Sequence, residues 1–171
     1  VGGSLRVGYN DALTNIEGLS KLTSVGGSLE IGYHNKLTDL NGLSSLTSVG
    51  GSLVIYSNAF LANLDGLSGL SGSVGGRLSI EYNDAVTNLN GLSGLSGSVG
   101  GDLSIGNNAS LANLNGLANL TSVGGGLRIG YNASLNNLDG LSGLSGSVGD
   151  YLGIDNNGSL TNLDGLANLT S

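Results

Sequence analysis

A single unit of 24 or 25 residues, written seven times, accounts for the whole chain. It restarts at Val1, Val25, Val49, Val74, Val99, Val123 and Val148, so the 171 residues divide into coils 1 to 7 (1–24, 25–48, 49–73, 74–98, 99–122, 123–147 and 148–171) with no linker between them. Self-similarity at a period of roughly 20 to 50 residues is the mark of stacked supersecondary units, each contacting only its neighbours. The chain therefore reads as one repeat domain.

Within a unit the apolar positions are constant. In coil 2 they are Val25, Leu29, Ile31, Leu37, Leu40, Leu43 and Leu46. Leu29 and Ile31 flank polar Glu30, the alternation of a short half-buried strand. The leucines from Leu37 to Leu46 fall every third residue, which is neither the strand period nor that of an α-helix. Thr, Asp, Asn, Gly and Ser separate them, and these are mediocre or poor helix residues. The spacing predicts an irregular path that turns inward every few residues. One such coil cannot bury its own apolar side, but coils stacked at about 4.8 Å make a continuous leucine-rich column. The expected fold is an all-β, parallel β-solenoid (a β-helix), taken as right-handed.

Glycine recurs at the positions of Gly26, Gly27 and Gly42, with Asp150 replacing the second of these in coil 7. Because glycine accepts positive φ without steric cost, each is expected to mark a repeated bend. The three longer coils carry one extra glycine, Gly72, Gly97 or Gly146, expected to form a bulge at one corner.

Charge narrows the function classes. The net charge is −7, and five basic side chains are scattered singly. No basic patch exists to neutralise phosphates, so nucleic acid is not an expected partner. No apolar run is long enough for a membrane span, so no membrane insertion is expected. Cysteine is absent, which removes disulfides and thiolate metal sites.

Stacked repeats turn each position into a column, and several columns resemble sites. Asn15, Asn63, Asn88, Asn113, Asn137 and Asn162 form one, with Asp39 in coil 2; a second holds Asn10, Asn58, Asn83, Asn108, Asn132 and Asn157, with His34 in coil 2. Amides at corners hydrogen-bond backbone groups that the bend leaves unpaired, so these are expected to be structural ladders. Tyr9, Tyr33, Tyr82 and Tyr131 share a further column and form the candidate binding face. Glu17, Asp65, Asp139 and Asp164 alternate with asparagines, and calcium between Asp139 and Asp164 is a minor alternative. Asn108, Asn119, Asn132, Asn157 and Asn168 begin Asn-x-Ser/Thr sequons, which repetition in an Asn- and Ser-rich chain generates by itself.

Catalysis finds little support. His34 is the sole imidazole, and no serine has a nucleophile-elbow context. No catalytic, cofactor-binding or metal-binding residue is assigned.

The phrase LTSVGGSLxIxxNxxLTNLDGLSxL, clearest at 22–46 and 120–144, resembles the repeat of receptor L-domain-like proteins. Leu5-x-Val7-x-x-Asn10 is similar to the strand of leucine-rich repeats. The resemblance covers the whole chain and is architectural. It implies a leucine-rich β-solenoid in an extracellular or cell-surface setting, and it assigns no binding residue.

Two roles follow as expectations. The first is a non-catalytic structural solenoid. Joining the final NLTS to the initial VGGS reproduces the Ser24–Val25 junction, and neither end shows a polar cap. The chain is thus expected to be a window of a longer array, or to self-associate head to tail into a filament. The second is an adhesive or receptor-like module binding a glycan or protein through the tyrosine face. An ice-binding threonine face (Thr14, Thr38, Thr87 and Thr161) ranks below both, because Ala62, Ala112 and Asn136 interrupt it.

Overall fold

The computed structural model describes residues 1–170. Its core element is a seven-stranded parallel sheet with one strand from each coil: Leu5–Gly8, Leu29–Gly32, Leu53–Tyr56, Leu78–Glu81, Leu103–Gly106, Leu127–Gly130 and Leu152–Asp155, in that order. Each repeat position pairs with its own counterpart, Leu29 with Leu53 and Ile31 with Ile55, for example. The chain is a parallel β-solenoid, and it contains no α-helix among the described residues. No helix there is long and apolar enough to cross a membrane.

The three-residue leucine period has a geometric cause. In coil 3 the N–H groups of Leu61, Leu67 and Leu70 donate to the carbonyls of Asn58, Leu64 and Leu67, three residues back. Successive i→i+3 turns put every third side chain on the same side. Only the middle of the run, Asp65–Leu67, is a formal 3-10 turn, and its equivalents recur from Glu17–Leu19 to Asp164–Leu166. The tight helix that composition argues against is therefore present for a single turn per coil.

Those leucines and the inward strand residues form one core. From Leu29 to Leu141 its leucines and isoleucines are almost completely inaccessible to solvent. Each fully buried leucine contributes about 1.5–3 kcal/mol. The terminal coils present the same positions to solvent: Leu152 and Leu163 are 52% exposed, whereas their counterparts Leu127 and Leu138 are 0% exposed.

The glycines need a different explanation from the expected one. Gly26, Gly27 and Gly42 lie at bends or turns, yet neither they nor their counterparts in other coils have positive φ. What excludes a side chain there is the preceding coil. A Cβ at Gly42, Gly66, Gly91, Gly116, Gly140 or Gly165 would fall within 3.0 Å of a backbone carbonyl of the preceding coil. Glycine at these positions lets backbones approach to stacking distance. The extra residues do take positive φ, +77° at Gly72, +88° at Gly97 and +86° at Gly146. At Gly72 and Gly97 the short second sheet shifts register, so the added residue is absorbed before the main sheet resumes.

Candidate functional site: the outer face of the sheet

Strand parity sends two columns outward. The first contains Arg6, Glu30, Val54, Ser79, Ser104, Arg128 and Gly153; the second contains Gly8, Gly32, Tyr56, Glu81, Gly106, Gly130 and Asp155. The tyrosine column follows immediately. Its members are the chain's non-glycine residues with positive φ among those described: Tyr9, Tyr33, Ser57, Tyr82, Asn107, Tyr131 and Asn156, all between 53° and 60°. This left-handed corner turns the chain off the sheet; its tyrosines and Asn156 are exposed, and Ser57 and Asn107 half-buried.

Of the predicted face, Tyr9 and Tyr33 come together, stacked with ring centroids 4.2 Å apart and planes at 22°. Tyr56 joins them edge-on to Tyr33, at 4.8 Å and 83°. Its ring lies across Gly32, where a Cβ would come within 2.6 to 2.8 Å of three ring carbons. Arg6 sits 5.4 Å over the Tyr9 ring and 3.5 Å from the Glu30 carboxylate. The Arg6 guanidinium is held above its ordinary value, chiefly by the Tyr56 hydroxyl and secondarily by Glu30. The Tyr33 phenol is also raised, first by hydrogen bonding with the Tyr9 hydroxyl.

Tyr82 faces this cluster across a groove of about 460 Å³, with Val54 and Ser79 beneath it. Glu81 rises beside Tyr82, and its Oε1 accepts from the Ser79 hydroxyl at 3.2 Å and the Ser104 hydroxyl at 2.5 Å. Glu30 and Arg77 complete the rim. Tyr131 stands apart, with Arg128 5.8 Å over its ring and Asp155 3.7 Å from that guanidinium.

Comparison with protein-family models, curated proteins and solved structures finds no match to this chain.

Sequence reasoning missed Tyr56, Glu81 and Arg77. The available signal was Tyr56 itself, a large ring in a column that holds glycine at Gly8, Gly32, Gly106 and Gly130.

The two asparagine columns part company. In the first, Oδ1 of Asn15, Asn63, Asn88, Asn113, Asn137 and Asn162 accepts the backbone N–H two residues on, at 3.0 to 3.3 Å. These bonds stay within one coil, opening its 3-10 turn, and the side chains are exposed or half-buried. The second column links coils. Asn58, Asn83, Asn108 and Asn132 are 0% exposed, and each donates its backbone N–H to Oδ1 of the asparagine in the next coil. Their Nδ2 groups donate to strand carbonyls such as Ile31 and Ile55 in the preceding coil. The sequons at Asn108 and Asn132 are consequently closed to modification in the folded chain.

His34 is also 0% exposed, with its ring nitrogens 3.3 Å from the Asn10 carbonyl and 3.2 Å from that of Val7. Among the described residues no three His, Cys, Asp or Glu side chains gather around a common metal position.

Proposed function

We propose that the chain is a non-catalytic structural solenoid of an extracellular or cell-surface protein, and that copies of it stack head to tail. The observation supporting this reading is that every coil holds its neighbour in one register, Leu29 against Leu53 and Leu127 against Leu152, so that the apolar face of one coil fits that of any other. A second copy would set its Leu5 against Leu152 in that register. An uncovered sheet edge with apolar flanks favours that addition. The burial of His34, the lone imidazole, supports a role without catalysis. The resemblance to receptor L-domain-like repeats supports the setting.

Light scattering and electron microscopy across concentration test the stacking. Filaments are expected, with an axial repeat of about 34 Å from seven coils at about 4.8 Å each. Leu163→Asp is expected to abolish them, because it places a charge in the apolar end face. A monodisperse monomer at millimolar concentration would refute the assembly.

The outer groove favours a second reading, that of a ligand-binding module. A glycan array probed with the intact chain, compared with Tyr56→Leu, tests it; binding that the substitution leaves unchanged would remove its support.

A further inference from the structure

The tyrosine column uses cations already. Arg6 covers Tyr9 and Arg128 covers Tyr131, each from the first outward position of its own strand. In coils 2 and 4 that position holds Glu30 and Ser79, so among the described residues neither Tyr33 nor Tyr82 has a guanidinium over its ring. These are the two tyrosines of the column that border the groove.

The groove is built to receive what those rings lack. Tyr9 takes one face of Tyr33, and Tyr33 meets Tyr56 at 83°, so the two rings form an angled corner rather than one flat platform. Tyr82 adds a third aromatic group opposite. Aromatic faces carry negative quadrupole potential and attract cations within about 6 Å of the ring centre. Glu81 strengthens the same preference. Both of its hydroxyl donors fall on Oε1, leaving Oε2 with no side-chain donor among the described residues. The net charge of −7 adds a field of the same sign. Arg77 lies at the other end of the groove, preceding the strand that Tyr82 follows, about 16 Å away along extended chain. It disfavours a second cation there and so orients the ligand.

We propose that the groove between Tyr33, Tyr56 and Tyr82 binds an organic ammonium group of the choline or methylated-amine type, with Glu81 as its counter-ion. This inference rests on the ligand-binding reading of the outer face and names the ligand chemistry. A pyranose ring, which needs one flat platform and neutral donors, fits the angled corner less well.

The test follows the intrinsic tyrosine fluorescence of the intact chain, which contains no tryptophan. Choline is titrated at low and at physiological salt, beside its neutral isostere in which carbon replaces nitrogen. Saturable choline binding is expected, on the order of millimolar, weakening several-fold as salt rises. The isostere is expected to bind at least tenfold more weakly. Tyr82→Asn keeps a residue type that the same corner accepts at Asn107 and Asn156, so the fold is retained, as circular dichroism would verify. That variant should lose choline binding tenfold or more, and Glu81→Gln several-fold. Equal binding of choline and the isostere overturns the proposal, as does wild-type-like binding by Tyr82→Asn. A positive glycan array without choline binding sinks this inference and leaves the binding-module reading standing. Silence in both assays ends both.

Discussion

The side-chain oxygen of Asn58 receives no hydrogen bond from His34, although the equivalent oxygen of every later rung is an acceptor for the coil before it. The His34 backbone N–H turns to the Ser57 carbonyl instead, at 3.2 Å. The buried Asn58 Oδ1 is therefore left without a donor. His34→Asn supplies one, since an amide there donates to the Val7 carbonyl and to Asn58 Oδ1, as Asn58 does to Ile31 and Asn83. The substitution is expected to stabilise the chain by about 1–2 kcal/mol, read as a raised midpoint in urea at unchanged slope. A lowered midpoint would mean that the imidazole fills its space better than the amide completes the ladder.

Two glycines two coils apart predict opposite outcomes for the same change. A Cβ at Gly91 runs into the Leu64 carbonyl and its neighbouring backbone, which the 3-10 turn holds in place, the Leu64 carbonyl accepting from the Leu67 N–H at 2.8 Å. Gly91→Ala is expected to destabilise by about 2–3 kcal/mol, the cost of overpacking against groups that cannot move. The three atoms nearest a Cβ at Gly32 all belong to the Tyr56 ring, which can swing into solvent. Gly32→Ala is expected to change stability by about 0.5 kcal/mol or less while separating Tyr56 from Tyr33. Thermal melts measure the first effect, and ring-proton shifts of Tyr33 measure the second.

That contrast shows what the sequence could disclose. Leu37, Leu40, Leu43 and Leu46 are legible because burial repeats with the unit, and seven copies average out local ambiguity. The reason for Gly42 was not legible: positive φ and close approach both select glycine, and only the stacked neighbour separates them. The true left-handed corner was hidden by tyrosine. Asn107 and Asn156 in the same column were the available hint, since asparagine tolerates that conformation better than most residues. Periodicity likewise treated the two asparagine columns as equals. Asn58 follows inward-facing Leu53 and Ile55 around the corner, whereas Asn63 caps a turn from the solvent side, bonding the N–H of exposed Asp65. The aromatic cluster depends on the Tyr56 ring reaching into the coil before its own, which no within-coil pattern reports.

The corner conformation makes its own prediction at Ser57, where φ is 53°. Asparagine, serine and tyrosine occupy this column, and no β-branched residue does. A branched Cβ crowds the following carbonyl in the left-handed region. Ser57→Val is expected to cost about 1–2 kcal/mol although it buries nothing new. Ser57→Asn should stay within about 0.5 kcal/mol of the parent chain. Urea denaturation of the pair checks this, and equal midpoints would show that the corner relaxes without strain.

The last prediction separates the two asparagine columns directly. Asn108 and Asn113 lie five residues apart in coil 5 and look alike in sequence. Asn108 is 0% exposed; its Oδ1 accepts from the Asn83 backbone at 3.0 Å, and its Nδ2 donates to the Ile80 carbonyl at 2.9 Å and to Asn132 Oδ1 at 3.3 Å. Truncating it strands buried donors and acceptors in coils 4 and 6 together, each costing about 1–3 kcal/mol. Asn113 makes one bond, to the Asn115 N–H at 3.2 Å, and water can replace it. Asn108→Ala is therefore expected to lose about 3–5 kcal/mol and Asn113→Ala about 1 kcal/mol or less, by chemical denaturation. Hydrogen exchange should localise the first loss to the N–H groups of Asn83 and its neighbours. In a one-dimensional stack, damage to one rung weakens the interfaces on either side before it reaches the ends. Equal costs for the two substitutions would mean that the buried ladder contributes no more than the exposed turns.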